Sequence, residues 1–198
     1  MALSFFNKIS GFFSRPTETF RSVRGESLKD AAVYFLLLLV FTSVLAGLMV
    51  YLGFSAVNGS ALGIHTGRAA GILSFVWALI FTYVWGLFTL VIWSIVLQIG
   101  AKALGGRGDF ADAFRTAVYA QTPYLLLGWI PIVGWLLGQL WAVVLTVIGV
   151  RELYGVDTGK ATAVAVVALV LYLMVSWVLA LFGIVAATGL ADILGLMG

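Results

Sequence analysis

The 198 residues are 63% apolar and 10% charged, with 11 basic side chains, eight acidic ones and no cysteine. A water-soluble domain is about half apolar and a quarter charged, so this balance excludes one and points to an all-α, polytopic membrane protein. Without cysteine there is no disulfide framework and no thiolate chemistry, and the one histidine, His65, leaves a transition metal no ligand set.

In chain order, residues 1–30 come first. Phe5, Ile9 and Phe12 recur at helical spacing among Ser4, Asn7, Lys8, Ser14 and Arg15. The pattern predicts an N-terminal amphipathic helix lying at the membrane interface, its phenylalanines among the lipid headgroups. The alternative is that this face packs on the protein's own helices. Asn7 and Lys8 interrupt the apolar run, so no signal-peptide core is present.

Residues 31–198 form the transmembrane domain. A bilayer core of about 30 Å needs about 20 apolar residues in a helix. Spans are expected at 31–52, 72–99, 114–130, 132–150 and 163–187. Ser27 with Asp30 makes an N-cap for the first. The charge-free window from Thr116 to Val150 would reach about 52 Å as one helix, too long for a single crossing. Pro131 and Gly134 therefore mark a turn between two crossings, bracketed by Trp129 and Trp135.

Basic residues test this count. Five spans with the N-terminus inside place ten lysines and arginines in the cytoplasm and only Arg68 outside. Fusing the third and fourth spans would move Arg151 and Lys160 out, giving eight against three. The expected topology is N-terminus cytoplasmic and C-terminus outside.

The block GGRGDFADAFRTAVYAQTPYLL (Gly105–Leu126), then Trp141 and GVRELYGVDTGKATAVAV (Gly149–Val166), with Pro16-Thr17-Glu18-Thr19-Phe20 upstream, resembles the Yip-domain family. That family is named for interaction with Ypt/Rab GTPases. Its Y-A-x-x-P element is matched by Tyr119, Ala120 and Pro123, and a lysine–alanine pair by Lys160 and Ala161. The resemblance implies five spans, a cytosolic N-terminus and a minimal prokaryotic form in the cell membrane. The D-L-Y-G-P element of eukaryotic members is absent from residues 1–30, so no GTPase-binding role is carried over.

No ionisable residue falls well inside a span, which argues against an enzyme or an ion-coupled transporter, and no cofactor is expected. Asp109 and Asp112, with Arg115 one turn on, read as a helix start rather than half of a Mg²⁺ site. Leu104-Gly105-Gly106-Arg107-Gly108 lacks the lysine and hydroxyl of a P-loop.

Three groups remain as candidates. Tyr119, Gln121, Thr122, Pro123 and Gln139 form a polar intramembrane cluster, either glue between helices or the wall of a pathway. Lys8, Arg15, Lys102, Arg107, Arg151 and Lys160 would meet lipid headgroups. Ala161, Ala165, Ala168, Ser176, Ala180, Gly183 and Ala187 make a small helix-packing face on the fifth span, and Gly134 with Gly138 a second on the fourth. The leading expectation is a non-enzymatic scaffold that binds membrane lipids and a cytoplasmic protein, with no nucleic-acid partner. A homo-oligomer is compatible with it. The alternative is a permease, channel or lipid-handling protein using the Gln121–Gln139 region, and a cavity reaching both would favour it.

Because the chain has no cysteine, single reporters test the topology. Asn58→Cys and Leu196→Cys should label from outside intact cells, and Gly106→Cys and Thr158→Cys should not. External labelling at position 158 would remove the five-span arrangement.

Overall fold

The computed structural model describes residues 4–54, 71–130 and 132–193, and their side chains except at 135, 176 and 179–193. His65 and Pro131 lie outside these residues. The described chain is helical: α1 (Phe5–Ser14), α2 (Pro16–Val23), α3 (Leu28–Tyr51), α4 (Ile72–Ala103), α5 (Phe110–Ala120), α6 (Thr122–Leu127), α7 (Val133–Tyr154) and α8 (Thr158–Ile193).

The helix ends follow local chemistry. Ser27 Oγ accepts the Asp30 N–H at 3.1 Å to start α3. Asp109 and Asp112 form a reciprocal capping box on α5, each carboxylate accepting the other's backbone N–H at 3.1 and 3.2 Å. Arg115 then pairs with Asp112 at 3.0 Å, so both acids serve the helix start. Asp157 Oδ1 accepts the Lys160 N–H at the start of α8, and that bond holds its carboxyl below the usual aspartate range. Gly155 closes α7 at φ +66°, a conformation costly to any residue with a Cβ.

Among the described residues four helices are long and apolar enough to cross a bilayer, through Leu28–Tyr51, Ile72–Ala103, Leu136–Tyr154 and Thr158–Val175. The expected third span, 114–130, is not among them. Pro123 lacks the N–H that would continue the ladder, so the chain breaks into α5 and the six-residue α6. The Tyr119 carbonyl that proline leaves free accepts the Gln121 N–H instead.

The turn before α7 also differs from expectation. Its left-handed residue is Ile132, at φ +62°, while Gly134 sits inside α7. Gly134 and Gly138 are buried against the α6 segment, where an added Cβ would come within 2.2 Å of the Leu127 carbonyl oxygen and 3.0 Å of Tyr124 Cα. Their smallness brings two backbones together and does not make the turn.

The core lies where α3, α4, α5, α7 and α8 meet, with α1 and α2 folded onto the end that holds most of the charges. Ala161, Ala165 and Ala168 are all buried, while Val166 and Val167 on another face of α8 are half exposed. The side chains of Ser176, Ala180, Gly183 and Ala187 lie outside the described residues.

Ala165→Leu should therefore lower the thermal transition in detergent, since overpacking a close interface costs about 1–3 kcal/mol. Val166→Leu should leave it unchanged, and equal effects would place both positions against lipid.

Candidate functional site

On α1, Phe5, Lys8, Ile9 and Phe12 stand at i, i+3, i+4 and i+7, so lysine shares the apolar face. That face does not point to lipid. Phe12 is fully buried, stacked on Tyr119 with ring centroids 5.1 Å apart and edge-on to Phe20 at 4.9 Å. Phe5 lies 5.2 Å from the Tyr34 ring, and Ile9 packs against the same core. The interfacial reading is thereby corrected for Phe12, which is buried in the core with Phe5 and Ile9 partly buried against it, while Phe6 and Phe13 of the same helix stay exposed. Packed against the protein instead, the Phe12 face brings Lys8 into the interior, where its charge needs an acid.

That acid is Glu26. Lys8 and Glu26 form an ion pair with side chains only 7% and 9% exposed. Tyr119 donates its hydroxyl to the other carboxylate oxygen of Glu26. The Lys8 ammonium lies 5.5 and 5.6 Å from the ring centroids of Tyr34 and Tyr119, within cation–π range. Arg115 Nε donates to the Glu26 carbonyl at 2.8 Å, and the Tyr34 and Thr122 hydroxyls meet at 3.0 Å. Lys8 is thus unavailable to headgroups.

Around this knot α1 and α2 are tied to α7. Trp141 Nε1 donates to the Phe12 carbonyl at 3.2 Å, Arg21 pairs with Glu152 at 2.7 Å, and Arg151 reaches Thr17 at 3.2 Å. The Glu152 contact holds the Arg21 guanidinium further in its charged form. Arg151 also pairs with Glu152. Of the expected headgroup contacts, Arg15, Lys102, Arg107 and Lys160 are exposed, and Arg15 lies 4.0 Å from Glu18.

A second feature lies within the helices. A cavity of about 330 Å³ is enclosed by residues of α3, α4, α5, α6, α7 and α8 together with Gln121, and both Gln121 and Gln139 line it. None of its lining residues is charged; Leu39, Leu90, Leu125, Leu169, Phe35, Trp85 and Trp93 make most of the wall. Thr42 anchors one side by donating to the Leu38 and Leu125 carbonyls.

The expected polar cluster therefore divides in two. Tyr119 and Thr122 turn to the Lys8–Glu26 knot, Gln121 and Gln139 to the cavity, and Pro123 is buried beneath Gly138. Helical spacing accounts for the division, since Tyr119 and Thr122 are three residues apart and Gln121 lies between them.

A Yip1 domain model matches residues 10–189. The chain belongs to the Yip1 domain family. With four helices fit to cross a bilayer, this Yip1 protein is an integral, multi-pass membrane protein. No curated protein and no solved structure matches it. Its family motif has a visible task here: the tyrosine of the Y-A-x-x-P element holds Glu26, and the proline makes the break.

Glu26, Tyr34, Trp85 and Trp93 were not singled out from sequence. A signal for Glu26 existed, since a lysine on an apolar helix face asks for a nearby acid. The aromatic wall had none, because six helices contribute to it.

Removing one partner of a buried pair costs about 3–5 kcal/mol, whereas replacing both by apolar residues is often neutral. Lys8→Met and Glu26→Leu should each lower the thermal transition sharply, and the double variant should recover most of the loss. Silent single variants would show that the pair does not hold α1.

Proposed function

We propose that this Yip1 protein is a non-enzymatic membrane-organising scaffold, acting through its charged end, which the excess of lysine and arginine assigns to the cytoplasm. The observation that supports it is the docking of α1 and α2. Through Lys8–Glu26, Arg21–Glu152 and Trp141–Phe12 they form a fixed platform rather than a loose arm. Beside it Lys29, Lys102, Arg107 and Lys160 are exposed, with no acidic side chain among the described residues within ion-pair distance of them. Fixed cations at the bilayer surface attract anionic headgroups or an acidic protein face at about 1 kcal/mol each.

The protein in mixed-lipid nanodiscs should then retain anionic phosphatidylglycerol over phosphatidylcholine. Changing Lys29, Lys102, Arg107 and Lys160 to glutamine should remove most of that preference, read by mass spectrometry of the co-purified lipid. An unchanged preference would sink the platform reading.

A second reading is favoured by the cavity, which reaches both Gln121 and Gln139. It is a lipid-handling role within the bilayer. Proteoliposomes should then equilibrate a fluorescent lipid between leaflets faster than empty vesicles, and equal rates would remove it.

A further inference from the structure

The cavity wall presents a chemical contradiction. It is chiefly leucine and aromatic carbon, the kind of surface that stays dry when sealed. Yet two primary amides, Gln121 and Gln139, line it from opposite sides of the α6–α7 turn, and neither side chain is hydrogen-bonded to another described residue. A third donor stands in the same wall: the indole N–H of Trp93, 5% exposed, has no hydrogen-bond partner, its ring edge-on to Tyr172 at 5.6 Å. Amides and indoles left unpaired within a membrane are costly, and a buried tryptophan N–H ordinarily finds an acceptor.

We propose that the cavity binds a lipid hydrocarbon chain bearing an uncharged polar group (an ester, hydroxyl or amide) that the Gln121 and Gln139 amides hold. The apolar wall takes the chain and Trp93 stands ready to donate to an oxygen. No ionised side chain lines the cavity to neutralise a charged head. About 330 Å³ lies at the small end of ligand pockets, which run roughly 300–1,000 Å³, so part of one chain fits and a whole two-chain phospholipid does not. The shared chemistry has two sources: a free single-chain lipid such as a monoacylglycerol, or one ester-linked chain of a bilayer phospholipid. The inference rests on the lipid-handling reading but names what is held, not whether it moves.

Trp85 and Trp93 provide the readout. The protein in nanodiscs is titrated with a monoacylglycerol brominated along its chain, and tryptophan fluorescence is followed. The wild type should show a saturable quenching step above the linear background from its lipid-facing tryptophans. Thr82→Phe/Thr89→Leu, which adds bulk at two lining positions of α4, should lose that step. Gln121→Leu/Gln139→Leu should keep it but need at least fivefold more ligand. Should the filled variant misfold, Leu169→Phe fills the same space from α8. A brominated phosphatidylcholine bilayer that gives the step without added ligand, displaced by unbrominated monoacylglycerol, assigns the phospholipid chain as the source. Its absence there assigns the free lipid. Equal, purely linear quenching in all variants would overturn the proposal and leave the cavity to water, and tight binding of a brominated alkylammonium would overturn its uncharged character. Binding without faster leaflet exchange removes the handling role and keeps the ligand; exchange without the saturable step does the reverse.

Discussion

The arrangement of the charged end depends on one carboxylate. Glu26 takes Lys8 from α1 on one oxygen and the Tyr119 hydroxyl from α5 on the other, while its own carbonyl takes Arg115. Two helices, α1 and α5, and the link before α3 are fixed by a single residue lying between α2 and α3. Charges this far from water survive only when paired and further hydrogen-bonded, and here the partners come from α1 and α5. The pairing therefore specifies one docking of α1. A purely apolar face would allow many.

The same logic relates this knot to the cavity. Tyr119 and Gln121 are two residues apart, which at about 100° per residue turns them to opposite sides, and the helix breaks just beyond them at Pro123. Without the break, the helical ladder would run on past Gln121. A shift of α5 at the platform and a change in the cavity wall share this one short segment. Coupling between the two sites has a physical route there, through the backbone rather than through a chain of side chains.

Legibility followed range. The caps at Ser27 and Asp109 are encoded within four residues and were readable as such. Hydropathy located the helices around 31–52, 72–99 and 132–150, and the spacing of Ala161, Ala165 and Ala168 gave their common buried face. The break in the third helix was harder to see. Pro123 and Pro131 carry the same local signal, and span-length reasoning credits the turn to Pro131 while leaving 114–130 whole. The direction of the α1 face depended on Glu26, 18 residues away from Lys8, and amphipathicity cannot tell a lipid surface from a protein one. The cavity depends on where six helices stop short of each other, which no local pattern records.

The close approach of Gly138 to Pro123 and Tyr124 bears on how the chain enters the bilayer during synthesis. The six residues of α6 are too few to partition into hydrocarbon alone, and their backbone ends remain unsatisfied until a neighbour arrives. With no side chain at Gly134 or Gly138 to hold the two apart, α7 can close against α6 as soon as it leaves the ribosome. A residue with a Cβ at either position would push the two segments apart and leave those ends without that cover.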